Sequence, residues 1–142
     1  MTLELTPIKE DVLKVLPLKT GVLYFFKNLV CIEVNEGVHL DLNLSKEVFE
    51  PINSFYKDTN SIAFLSNRIN DFSIEALDYP SFFKALPKIK LFTVVYYNVN
   101  NKYNIEIEKQ FIINVPFKGF KSLKEAYTYS KTFINSKNIQ LA

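Results

Sequence analysis

Tryptophan is absent from this chain, and cysteine, histidine, arginine and methionine occur once each. The lone Cys31 rules out an intrachain disulfide and fits a reducing compartment. With Cys31 and His39 the sole thiol and imidazole, neither a structural zinc set nor a Cys–His nucleophile pair can be assembled, so no metal is expected. The three glycines, Gly21, Gly37 and Gly119, are too scattered for a G-x-G-x-x-G fingerprint or a glycine-rich phosphate loop, and no cofactor is expected. No apolar run approaches the roughly 18 residues of a membrane-spanning helix. Met1 to Glu10 carries charge and no apolar stretch, so neither a leader nor an anchor is expected. Basic and acidic residues number 17 and 15 and are interspersed, which leaves no phosphate-backbone footprint and points away from nucleic acid. A cytoplasmic location follows as an expectation.

What is present is a globular balance of 48% hydrophobic and 23% charged residues over 142 positions, enough for one domain and too few for two. Residues 1–142 are therefore taken as a single domain, with 1–20 as an N-terminal extension or an extra edge strand over Asp11 to Leu16. The apolar runs Val22 to Phe26 and Leu29 to Val34 flank Lys27-Asn28 and predict an antiparallel hairpin. Beyond Gly37, Asp41 or Asn43 can cap a helix that buries Leu44, Val48, Ile52 and Phe55, with Pro51 bending or breaking it near Phe49 to Pro51.

Ser61 to Leu65 reads as a buried strand and Ser66 to Asp71 as a polar loop. Helix is expected to resume at Ser73, with Tyr79 outside it and Pro80 opening a second short helix. Ile89 to Tyr97 has the apolar, β-branched and aromatic character of a central strand. Asn100 to Ile112 fits both the strand and the helix period. Val115 to Phe120 reads as an edge strand, limited by Pro116. The S-x-x-E box Ser122 to Glu125 opens a last helix with the stripe Leu123, Ala126, Tyr127, Ser130, Phe133 and Ile134. The pattern predicts an α/β fold: a mostly parallel central sheet opened by an antiparallel hairpin, with four helical regions.

This order is that of STAS-like domains, the fold of the anti-sigma-factor antagonists. Glu36-Gly37-Val38-His39-Leu40-Asp41-Leu42 leading into Lys46-Glu47 resembles the junction of second strand and first helix in uncharacterised bacterial STAS-like proteins. Phe120-Lys121-Ser122-Leu123-Lys124-Glu125-Ala126 resembles their last strand and helix, and the likeness tips Asn100 to Ile112 toward helix. The antagonists carry a D-S-S-G type loop whose phosphorylated serine switches partner binding. Laid without gaps, those four residues fall on Ser73, Ile74, Glu75 and Ala76, so the acceptor position is Ile74, which cannot take phosphate. The scaffold carries over and the switch does not, and Ile74 is expected to pack inward.

The candidate surface is the carboxyl edge of the parallel strands: Ser66, Asn67, Arg68, Asn70, Asp71 and Ser73, bordered by Tyr97 and Asn98. Arg68 is expected to be exposed and free to meet an acidic side chain or small anion beside a helix N-terminus, or else paired to Asp71. Arg68→Ala should on that reading leave the melting temperature nearly unchanged. His39 reads as a surface or junction residue, Cys31 as an inert core filler, and Glu106 and Glu108 as a solvated face. Tyr96-Tyr97 and Phe82-Phe83 read as core residues with an amphipathic rim. No catalytic set emerges and no enzyme is expected. The leading expectation is a regulatory or protein-interaction domain with a protein partner, a homodimer being open. The alternative is a carrier for a small apolar or lipid-like ligand.

Overall fold

A computed structural model describes residues 1–141, with side chains described through Ile139. Eight strands form: β1 Lys14–Pro17, β2 Gly21–Phe26, β3 Leu29–Val34, β4 His39–Leu40, β5 Ile62–Asn67, β6 Ser73–Ile74, β7 Ile89–Val95 and β8 Phe117–Phe120. Six of them make one sheet in the order β1-β2-β3-β5-β7-β8. The first three strands pair antiparallel and the last four parallel. The hairpin closes Phe26 on Leu29, and Asn28 takes the left-handed position of the turn at φ 62°, which asparagine tolerates better than most side chains. Gly21 is required by a close approach across the same hairpin, since a Cβ there would stand 2.1 Å from the Glu33 carbonyl oxygen.

The helices are α1 Leu42–Ser45, α2 Phe49–Phe55, α3 Tyr79–Ala85, α4 Val99–Glu108 and α5 Leu123–Leu141, grouped in four helical regions as the pattern predicts. Strand alternation divides the interior into two cores. Ile62 and Phe64 join Leu23, Phe25, Val30 and Phe92 beneath α2, α3 and α4. Ala63 and Leu65 join Tyr24, Phe26, Cys31 and Leu91 beneath α5 and the N-terminal residue Leu3. Cys31 is fully buried there, and burial pushes its thiol well up, in keeping with an inert filler.

Several local expectations shift. The first helical region breaks earlier than Phe49: a 3-10 turn at Lys46–Val48 separates α1 from α2, and Pro51 becomes the third residue of α2, where its missing N–H has no intrahelical partner to lose. Ser73 starts no helix. It and Ile74 form β6, which pairs parallel with β4 in a separate two-stranded sheet. Pro80 is the second residue of α3, because Tyr79 is helical, held by burial of its ring and a bond from its hydroxyl to Glu108. The edge strand is Lys14–Pro17, while Asp11 lies in a 3-10 turn. Asn100 to Ile112 resolves as helix, α4 followed by a 3-10 turn to Phe111. Two caps stand as read: the Leu44 N–H donates to Asp41 Oδ1 at 2.8 Å, and the Glu125 N–H to Ser122 Oγ at 3.3 Å.

Candidate functional site

At the carboxyl ends of β5 and β7 the chain alternates between the two faces, so neighbouring polar residues part company. Asn67 turns toward the α5 side and is fully buried. Its amide donates to Glu33 Oε2 at 2.6 Å and to the Met1 carbonyl at 3.0 Å, and its Oδ1 accepts from the Tyr97 hydroxyl at 2.6 Å. Glu33 also accepts from the Thr2 hydroxyl and the Leu3 N–H, at 2.9 and 2.8 Å. The Tyr97 phenol is pushed up to about 12, first by burial and then by the Glu33 charge. This network pins the N-terminal segment across the strand ends.

Arg68 turns to the other side, and here the sequence reading fails. Its guanidinium is only 4% exposed and grips Glu108 with two parallel bonds of 2.6 Å. The Tyr79 hydroxyl donates to the same carboxylate, and Phe72 lies against the guanidinium with 5.6 Å from ring centre to Cζ. Burial alone would lower the Arg68 pKa, but hydrogen bonds and charge from Glu108 outweigh it and hold it above its ordinary value. Burial first, then the Glu108 charge, pushes the Tyr79 phenol well up. Arg68 is therefore neither an exposed anion receptor nor a partner of Asp71. Glu108 is correspondingly no part of a solvated face, whereas Glu106 is exposed and pairs loosely with Lys109.

The remaining candidates hold loops together. Asn70 donates to the Val34 carbonyl, and Asp71 links to the β3–β4 turn through its N–H to Glu36 and its carbonyl from the Gly37 N–H. Asn98 caps α4 by accepting from the Asn101 N–H at 2.9 Å. Ser73 is exposed, and its hydroxyl lies 2.7 Å from His39 Nδ1, tying β4 to β6. Ile74 packs inward against the first core, as expected, though from a strand and not from a helix start.

Of the predicted residues, Ser66 lines a pocket. It lies on the floor of a pocket between the sheet and the short helices, formed with Ile32, Phe64 and Phe92 below, Val48, Tyr79 and Phe82 at the sides, and Leu40, Phe72 and Ile74 of the small sheet region above. Asp41, Glu75 and Asp78 stand at its partly exposed rim. The cavity volume is about 50 Å³. No group of three or more His, Cys, Asp or Glu able to hold a metal is present among the described residues. No helix there is long and apolar enough to cross a membrane.

Glu33, Glu108 and Tyr79 were missed as parts of the two networks. A single carboxylate inside the apolar run Leu29–Val34 was a readable signal. Glu108 shares the helical face of Asn101 and Ile105 once α4 is accepted, with spacings of four and three.

The chain folds like an uncharacterized protein of the DUF3478 family with a SpoIIAA-like fold from Shewanella loihica PV-4. The two share 11% sequence identity over 82% of this chain and 90% of that one, with a TM-score of 0.53. The fold is thus SpoIIAA-like, the STAS-like class expected from the sequence. No protein-family model matches the sequence, and no curated protein matches it.

Proposed function

We propose that this domain acts by binding and not by catalysis, as a regulatory or protein-interaction module. The observation that carries the reading is an apolar ridge on α4. Val99, Tyr103 and Ile107 are spaced four apart and are 62, 67 and 55% exposed, while the opposite face buries Asn101, Ile105 and Glu108. A ridge of that spacing matches the groove of a second protein. Lys102, Glu106 and Lys109 flank it with mixed charge, which favours a protein over a polyanion or a lipid surface. The ionisable side chains nearest the strand ends, Glu33, Arg68 and Glu108, are consumed by internal bonds. The test pairs the natural chain with Tyr103→Asp/Ile107→Asp at equal melting temperature. A partner retained by the first, lost by the second and reconstituted from purified protein supports the module, and identical retention overturns it.

A second reading, binding of a small apolar molecule, is favoured by the pocket over Ser66. Native mass spectrometry of purified protein, with and without small apolar additives, would decide whether that pocket takes a guest.

A further inference from the structure

The pocket's lining chemistry restricts what it can hold. Its side chains include three carboxylates, Asp41, Glu75 and Asp78, and no lysine, arginine or histidine. Asp41 and Asp78 each accept one backbone N–H, from Leu44 and Leu42, at 2.8 Å. The Glu75 carboxylate makes no hydrogen bond or ion pair among the described residues. The rim is therefore a negative collar around an apolar well, and fatty acids, phosphates and nucleotides meet like charge there.

Inside the well the polar complement is short. The Thr20 hydroxyl is spent on Glu47, the Ser45 hydroxyl on the Asp41 carbonyl and the Tyr79 hydroxyl on Glu108. Ser66 is 4% exposed, and its hydroxyl has no partner among the described residues. That hydroxyl opens onto the cavity, where a guest or a water can meet it with a hydrogen bond. A cavity of about 50 Å³ encloses only part of a small organic guest, the rest of which stands in the open mouth at the carboxylate rim. A long acyl chain does not fit.

Resting on the small-ligand reading above, we infer that this pocket is a site for a compact aliphatic or aromatic amine. Its body lies over Ser66, Phe64 and Phe92, and its ammonium sits at the collar of Glu75 and Asp78. The small sheet of β4 and β6, tied by the His39–Ser73 bond, closes over the body.

Amide NMR titrations of the full chain at neutral pH and low ionic strength test this with four probes: benzylamine, benzyl alcohol, benzoate and dodecanoate. Benzylamine should shift the amides of Phe64, Ser66, Ile74 and Asp78 and bind roughly tenfold more tightly than benzoate, the scale of a few partly exposed charge pairs. Glu75→Gln and added salt should each narrow that gap, and benzyl alcohol should fall between. If benzoate or dodecanoate shifts the same amides as strongly as benzylamine, the amine assignment is overturned while the pocket stands as a binding site. If none of the four shifts them, both the assignment and the small-ligand reading are overturned.

Discussion

The two faces of the sheet are covered in different ways. On one side a single helix of 19 residues, α5, lies along β5 and β7, and its small residues Ala126 and Ser130 are fully buried, so the backbone sits close to the strands. The Ser130 and Thr93 hydroxyls even find each other there at 2.9 Å. On the other side four short pieces of 4, 7, 7 and 10 residues share the work, together with the two-stranded sheet. Short pieces cannot close every joint between them, and the pocket lies at such a joint. Each face also carries one buried polar network, and the difference is what it fastens: Glu33–Asn67–Tyr97 holds the N-terminal segment, and Arg68–Glu108–Tyr79 holds α3 and α4 to the strand ends.

The largest expected effect removes one half of the second network. Arg68→Ala should lose about 3–5 kcal/mol in urea unfolding, because it strands the Glu108 charge in the interior. The triple change Arg68→Met/Glu108→Leu/Tyr79→Phe should recover most of that loss, since an apolar replacement leaves nothing unpaired. An Arg68→Ala protein as stable as the natural chain would return Arg68 to the surface role first read from its loop.

Truncation comes next and contrasts the faces directly. Ile134→Ala, on the sealed side, should cost about 3 kcal/mol, whereas Ile74→Ala at the pocket should cost about 1, because its surroundings are already open. Equal losses by thermal unfolding would mean that the two sides are packed alike. Smaller again, Ser122→Ala should cost about 1 kcal/mol by freeing the first turn of α5, and two identical melts would remove that cap from the account.

The smallest effect is confined to alkaline pH. The Tyr97 phenol titrates at about 12 in the fold against an ordinary value of 10.0, so the unfolded chain gives up its proton first as pH rises. Stability is intact below about pH 10 and declines between 10 and about 12. Tyr97→Phe should flatten part of that decline in the urea midpoint, and an unchanged slope would show that Tyr97 titrates normally.

How much of this was legible follows the same division. Elements set by local chemistry were readable: the Lys27-Asn28 turn, the Asp41 and Ser122 caps and the α5 stripe each declare themselves within a few residues. The polar networks join residues 30 to 40 positions apart, as Arg68 to Glu108 and Asn67 to Glu33 do. No window of the sequence contains them. Arg68 looked exposed because it follows a strand in a polar stretch, yet strand alternation carried on three residues past the apolar run, one beyond the end of β5, and turned it inward. Ser73 and Ile74 looked like a helix start because a two-residue parallel pairing with His39 and Leu40 leaves no period to detect.

The central claim is that the face built from short pieces is the one that opens and binds. Amide hydrogen exchange on the full chain, alone and saturated with benzylamine, reads it most directly. The account predicts that residues 39–45 and 73–79 exchange much faster than those of α5 in the free protein and slow markedly with the amine, while α5 is unaffected. Equal protection of both faces, or slowing confined to α5, would contradict it.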